Sequence, residues 1–132
     1  MLTLSIDRSL DEPVYVQVAD QLRLLMSSGA LSSGEPLPSV RQLAGDLGVN
    51  LNTIARAYRL LESEGFLVVR DRSGVTVAPP SKTIERDTRT MLLQQIRSTL
   101  ARLRQAGMTT EELLSVMRRE VLAMNSGKEK KR

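Results

Sequence analysis

The chain has 132 residues, 41% of them hydrophobic and 2% aromatic, a length typical of one ordinary domain or two small ones. Because the sequence contains neither Cys nor His, it has no disulfide, no thiolate or imidazole catalyst and no zinc site with the usual nitrogen and sulfur ligands. The 19 Lys and Arg exceed the 15 Asp and Glu by a net charge of +4, a mild basic excess compatible with an anionic partner such as nucleic acid.

The charge is distributed unevenly. Residues 1–80 carry seven Lys and Arg against nine Asp and Glu, and residues 81–132 carry twelve against six. Two prolines in the run Ala78-Pro79-Pro80-Ser81-Lys82 disfavour helix and remove strand donors. We therefore predict a linker at 79–82 between a domain over 1–78 and a second unit over 83–125. The remaining basic tail, 126–132, is expected to be disordered, and nonspecific attraction to phosphate is its alternative role.

The chain begins MLTLSIDRS, in which Asp7 is the first charged side chain. That apolar run is too short for a signal peptide or a membrane span. A soluble, cytoplasmic protein with no membrane partner is therefore expected.

A first helix is predicted to begin at Asp11-Glu12-Pro13, because acidic residues and proline suit a helix start. Gly29 is a suitable left-handed end. Apolar residues recur at helical spacing between these points, namely Tyr15, Val18, Ala19, Leu22, Leu25 and Met26. Residues 33–38 have the composition of a loop. Ser39 and Gln42 beyond them match a capping box and predict a second helix.

The second helix is predicted to end at Gly48, and a third begins almost at once with Asn50 as its cap. Two short helices joined by a tight glycine turn, each with one apolar stripe, form a helix-turn-helix. Asn50 is interpreted as a structural cap in preference to a base-reading residue.

The third helix has one apolar and one polar face. Its apolar residues are Ile54, Ala57, Tyr58 and Leu61, and Tyr58 is expected in the core. At about 100° per residue, Asn52, Arg56 and Arg59 share the opposite side, flanked by Thr53. Such side chains suit hydrogen bonding to base edges in a major groove. Taken singly, Arg41, Arg56 and Arg59 are better explained as ordinary solvated helix arginines, and only the joined helix-turn-helix motif favours contact with DNA.

A β-hairpin is predicted next. Residues 66–70 and 75–77 are rich in strand formers, and Asp71-Arg72-Ser73-Gly74 has turn chemistry. Arg70 and Arg72 would lie near the tip, where contact with a DNA backbone and ordinary solvation remain alternatives.

Several short sequence motifs then follow one another in a specific order. They are Pro13-Val14-Tyr15-Val16-Gln17-Val18, Leu37-Pro38-Ser39-Val40-Arg41-Gln42-Leu43-Ala44, Gly48-Val49-Asn50, Asn52-Thr53-Ile54-Ala55-Arg56-Ala57-Tyr58 and Leu61-Glu62-Ser63-Glu64-Gly65. With them, residues 13–78 resemble the winged helix-turn-helix domain of the GntR family of bacterial transcription regulators, in particular its small YtrA-like branch.

The resemblance implies binding of operator DNA by a dimer. The DNA contacts that it implies come from Ser39, Arg41, Asn52, Thr53, Arg56 and Gly74, to which the residue pattern adds Arg59 and Arg72. The wing departs from the family, because Gly-x-Gly-Thr-Phe is replaced by Arg72-Ser73-Gly74-Val75-Thr76. Regulators of this branch commonly control their own operon and neighbouring transporter genes.

The second unit is predicted to be two helices. Leu93, Ile96, Leu100 and Leu103 alternate at three and four residues before Gly107, and Leu114, Met117, Val121 and Met124 do so after a capping box at Thr109 and Glu112. Two helices alone cannot bury both stripes, so a second copy is expected to complete a four-helix bundle. The YtrA-like branch resembles this arrangement.

The sequence thus predicts a mostly α fold, a winged helix-turn-helix followed by a two-helix hairpin, and a dimeric repressor of a pseudo-palindromic operator. No catalysis and no cofactor are expected, and no small-molecule effector is identified. The alternative is a winged-helix module that binds protein, since the first unit has a net charge of −2.

Overall fold

A computed structural model describes the backbone of residues 2–70, 74–80 and 86–130, with side chains as far as residue 124. Its elements, in chain order, are α1 (Val14–Ser27), β1 (Pro36–Leu37), α2 (Val40–Leu47), α3 (Leu51–Ser63), β2 (Leu67–Arg70), β3 (Gly74–Val77), α4 (Arg86–Gln105) and α5 (Thr110–Lys130). The chain divides after Pro80 into two units. The predicted fold class, mostly helical with a wing and a terminal helix pair, is confirmed.

The helix ends of the first unit lie where local sequence signals predict them. Pro13 precedes α1, and Gly29 after it has a φ of 84°. The predicted capping box of α2 is present, because Ser39 Oγ accepts from the Gln42 amide and the Gln42 side chain accepts from the Ser39 amide. Asn50 Oδ1 accepts from the Asn52 amide at 2.7 Å and caps α3.

The turn between α2 and α3 depends on Gly48. This residue is left-handed, with φ 67° and ψ 39°, and closes α2 through hydrogen bonds from its amide. A side chain is strained in that conformation, whereas glycine adopts it freely. The turn therefore lets α3 begin three residues later, at Leu51.

The hairpin is part of a larger sheet than predicted. β3 pairs antiparallel with β2 on one side and with β1 on the other, in the order β1-β3-β2. The prediction of a loop over 33–38 is therefore wrong at its end, because Pro36 and Leu37 form a short edge strand opposite Thr76 and Val75. The edge position tolerates proline, which lacks an amide donor.

One core holds the three helices and the sheet together. Its buried residues are Val18, Ala19, Leu22, Leu31, Leu37, Leu43, Ala44, Ile54, Ala57, Tyr58, Leu61, Leu67, Val75 and Val77. The four apolar residues predicted for one face of α3 are all among them, which confirms the orientation of that helix.

The N-terminal segment, residues 2–9, packs on this core, which was not predicted from the sequence. Leu2, Leu4 and Ile6 are partly buried against the core, and the residues between them are exposed. Two glutamines of α1 hold the backbone of the segment in place: Gln21 bonds to Ser5, and Gln17 bonds to Asp7. We call this segment the N-terminal arm.

In the second unit, α4 and α5 pack against each other through a turn at Gly107. The predicted capping box is present, since Glu112 and Thr109 exchange side-chain-to-amide hydrogen bonds. The backbone of α5 extends to Lys130, into the tail 126–132, for which disorder stays a prediction. Lys and Glu favour helix, and extending an existing helix is easier than starting one, so a single Gly127 does not end it.

Candidate nucleic-acid interface

One side of α3 presents a polar, exposed surface. Asn52, Arg56 and Arg59 are exposed and Thr53 is partly buried. The opposite face is locked in the core, where Ile54 and Ala57 have no exposed surface. The structure therefore brings these four predicted residues onto the accessible side of one rigid helix.

Arg56 does not extend freely into solvent. Its guanidinium carbon lies 3.9 Å from the centre of the Tyr15 ring, a cation–π contact. Tyr15 is on the first turn of α1 and was predicted only as part of the apolar stripe of that helix. The contact restricts the rotamers of Arg56 and leaves its charge at the surface.

Leu51, the first residue of α3, is a candidate that the sequence reasoning missed. Its side chain is 44% exposed, beside the polar residues of the same turn. An apolar group at such a position can contact the methyl group of thymine. No sequence pattern marks this residue, because Leu51 lies three residues before Ile54 and seven before Tyr58, at the edge of the apolar stripe of the helix.

The start of α2 carries two further predicted residues. The hydroxyl of Ser39 is engaged as an acceptor in the capping box, which leaves its own O–H available to donate. Arg41 is exposed in the first turn of α2, and among the described residues it has no hydrogen-bond or ion-pair partner. Its guanidinium is thus available to an anion or a guanine.

Tyr58 fixes α2 and α3 relative to each other. Its ring is 2% exposed, and its hydroxyl donates to the carbonyl oxygen of Pro38 at 2.7 Å. Burial raises the pKa of this phenol well above its ordinary value, so the hydroxyl stays protonated. Because Pro38 immediately precedes Ser39, this bond ties the start of α2 to the middle of α3.

The wing is only partly described. Gly74 opens β3 opposite Arg70 with a φ of 84°, a conformation that strains any residue with a Cβ. Arg70 is exposed at the end of β2. Arg72, which was also predicted to bind DNA, lies outside the described residues.

Arg8 of the N-terminal arm is a second residue that the sequence reasoning missed. Its Nη2 donates to the carbonyl oxygen of Gly48 at 3.2 Å, so its charge lies at the turn that leads into α3. Forty residues separate these two partners along the chain, and no local pattern predicts such a contact.

Among the described residues, no group of three or more His, Cys, Asp or Glu is placed to hold a metal ion. Within the same residues, no helix has the length and apolar character needed to cross a membrane.

Comparison with known proteins gives consistent results. The family model for bacterial regulatory proteins of the gntR family matches residues 14–77. The HTH-type transcriptional repressor YtrA of Bacillus subtilis (strain 168) is 32% identical over 111 residues, which cover 83% of this chain and 85% of that protein.

Solved structures are similar as well. YtrA from Sulfolobus acidocaldarius, a GntR-family transcription factor, is 40% identical, with a TM-score of 0.61 over 74% of this chain and 97% of that one. A transcriptional antiterminator from Listeria monocytogenes EGD-e superposes with a TM-score of 0.82 over 89% of each chain. That second likeness, at 23% identity, shows the fold alone.

Proposed function

This chain belongs to the GntR family of bacterial transcription regulators, and we propose that it is a repressor that binds operator DNA through α3. The observation that carries the proposal is the polar face of α3, with Asn52, Thr53, Arg56 and Arg59 on the accessible side of a helix whose other side is locked in the core. Repression is the activity named for the B. subtilis relative.

The candidate residues are proposed to contact different parts of the DNA. Asn52 and Arg56 hydrogen-bond base edges in the major groove, because amide and guanidinium groups form bidentate contacts with adenine and guanine. Thr53 and Arg59 contact the rim of the groove. Ser39 and Arg41, at the start of α2, contact phosphate or guanine, and Gly74 and Arg72 of the wing contact the adjacent backbone.

Dimerisation is proposed for the second unit. Only one of its hydrophobic side chains, Leu113, is buried among the described residues. Most of the others are exposed, namely Met91, Leu92, Leu93 and Ile96 on α4 and Leu114, Met117, Val121, Leu122 and Met124 on α5. Two helices with such faces gain stability by packing against a second copy as a four-helix bundle.

A cleft in the same unit supports this proposal. It has a volume of about 410 Å³ and is lined mainly by apolar groups of α4 and α5, including Leu100, Leu113 and Met117. Such a cleft can receive apolar side chains of a second helix pair. A symmetric dimer would present two copies of α3 to the two halves of a pseudo-palindromic operator.

The cellular compartment and the target genes are proposed from the DNA-binding activity. The protein acts in the cytoplasm, where bacterial chromosomal DNA lies, and its role is recognition without catalysis. Its own operon, including neighbouring transporter genes, is the proposed target.

Footprinting on the DNA upstream of the protein's own coding region tests the proposal, and a protected pseudo-palindrome is expected. Affinity for that site should fall steeply as salt rises, with a log–log slope of about −0.9 for each phosphate neutralised. A protein-binding module with an apolar interface would show neither the footprint nor the slope. That outcome would refute DNA binding and favour the alternative suggested by the net charge of −2 on residues 1–80.

A further inference from the structure

The N-terminal arm is held against α1 by a regular set of hydrogen bonds. Gln21 both accepts from the Ser5 amide at 3.0 Å and donates to the Ser5 carbonyl at 2.6 Å. Gln17, which is 5% exposed, makes the same pair of bonds to the backbone of Asp7, at 2.9 and 3.0 Å. The two glutamines thus replace a neighbouring strand and fix the position of the residue that follows, Arg8.

Arg8 reaches from the arm to the turn between α2 and α3. One N–H of its guanidinium bonds to the Gly48 carbonyl, and a guanidinium has five N–H donors. Among the described residues, no other partner of Arg8 is recorded, and the residue is exposed. Its remaining N–H donors therefore face solvent. They lie beside Gly48, which is two residues before Asn50, the cap of α3.

The neighbouring carboxylate of Asp7 forms no ion pair with this charge among the described residues. Asp7 Oδ1 accepts from both the amide and the hydroxyl of Ser9, and these hydrogen bonds lower the pKa of Asp7. Asp7 is thus oriented toward Ser9, and its structure provides no ion pair with Arg8 among the described residues.

The arm also ends near the N-terminus of α3. Arg8 contacts Gly48 in the turn that leads into this helix, and α3 begins three residues later at Leu51. The guanidinium of Arg8 therefore lies close to the end of α3 that carries Asn52.

From this placement we infer that Arg8 binds a phosphate of the DNA backbone beside the bases that α3 contacts, an inference that rests on the proposed function. The Gly48 carbonyl holds one edge of the guanidinium, and the free N–H groups bind phosphate oxygens. A phosphate contact carries no sequence information but fixes the orientation of the protein on the duplex. Such a phosphate contact matters for DNA binding because residues 1–80 carry a net charge of −2.

A purely structural role is the competing explanation. Arginine near the end of a helix stabilises it by bonding to the last carbonyls, and Gly48 is the C-cap of α2. In that case Arg8→Ala lowers the melting temperature and leaves the number of ions released on DNA binding unchanged. The two roles therefore differ in a measurable quantity.

The test uses the full chain, a duplex containing the footprinted site and an unrelated duplex of equal length. Fluorescence anisotropy gives the affinity of the parent, Arg8→Ala and Arg8→Lys proteins over a range of salt. For Arg8→Ala, the slope of log affinity against log salt should become shallower by about 0.9, with about a fivefold to tenfold loss near 0.1 M salt. The loss should be equal on both duplexes, and Arg8→Lys should retain most of the slope.

Arg23→Ala is the matched control, because it removes the same charge from the same unit. Arg23 pairs with Asp20 and with Glu64, the C-cap of α3, which places it at the end opposite to the proposed contact. For Arg23→Ala, the slope of log affinity against log salt should equal that of the parent protein.

The outcomes separate the two proposals. If the parent binds neither duplex, the proposed function fails, and the inference fails with it. If the parent binds with the expected salt dependence and Arg8→Ala has the same slope, the inference about Arg8 alone is overturned, whatever happens to the melting temperature.

Discussion

Arg56 and Tyr58 lie two positions apart on α3, and truncating each to alanine should separate recognition from folding. Tyr58 is 2% exposed in the core, and removal of a buried aromatic side chain typically costs about 3–5 kcal/mol. The hydroxyl bond to Pro38 accounts for about 1 kcal/mol of this. Among the described residues, Arg56 makes only the exposed cation–π contact with Tyr15, so its truncation should cost at most about 1 kcal/mol.

Thermal and urea unfolding of the two variants measure these costs. For a domain of this size, each kcal/mol shifts the melting temperature by about 4–8 °C, so Tyr58→Ala should melt far below the parent and Arg56→Ala close to it. Arg56→Ala should instead reduce the preference for the operator over an unrelated duplex by about 1–3 kcal/mol. If Arg56→Ala were the less stable variant, the assignment of the polar face of α3 would be wrong.

Three further predictions concern other parts of the molecule. Arg41→Ala should weaken operator binding by about 1–3 kcal/mol without changing the melting temperature, and equal affinity in a titration would refute a DNA contact. Truncation after Pro80 should leave a folded monomer by sedimentation, with operator affinity reduced about 10²- to 10⁴-fold; a fragment that still dimerises would place the interface elsewhere. The raised pKa of Tyr58 favours the folded state while the phenol is protonated, so the free energy of unfolding should decline as pH rises above the ordinary value of 10.0. Tyr58→Phe should remove that part of the decline in pH-dependent urea titrations.

Local sequence signals determined the helices of this protein and their ends. The capping boxes at Ser39 and Thr109, the Asn50 cap and the left-handed Gly48 all involve hydrogen bonds between residues two to five positions apart, so their partners are visible in the sequence. The same holds for the side of α3 that faces the core, because helical periodicity alone separates Ile54 and Ala57 from Asn52.

Contacts between distant residues decided what the sequence left open. Pro36 and Leu37 become a strand only because Val75 and Thr76 provide a pairing edge, and a segment of two residues is too short for a periodic pattern to indicate this. Tyr15 reaches Arg56 and Arg8 reaches Gly48 only after α1 and the N-terminal arm have packed on α3. Such pairs gain stability from the close approach of segments many residues apart, a property of the assembled core that no local window of sequence contains.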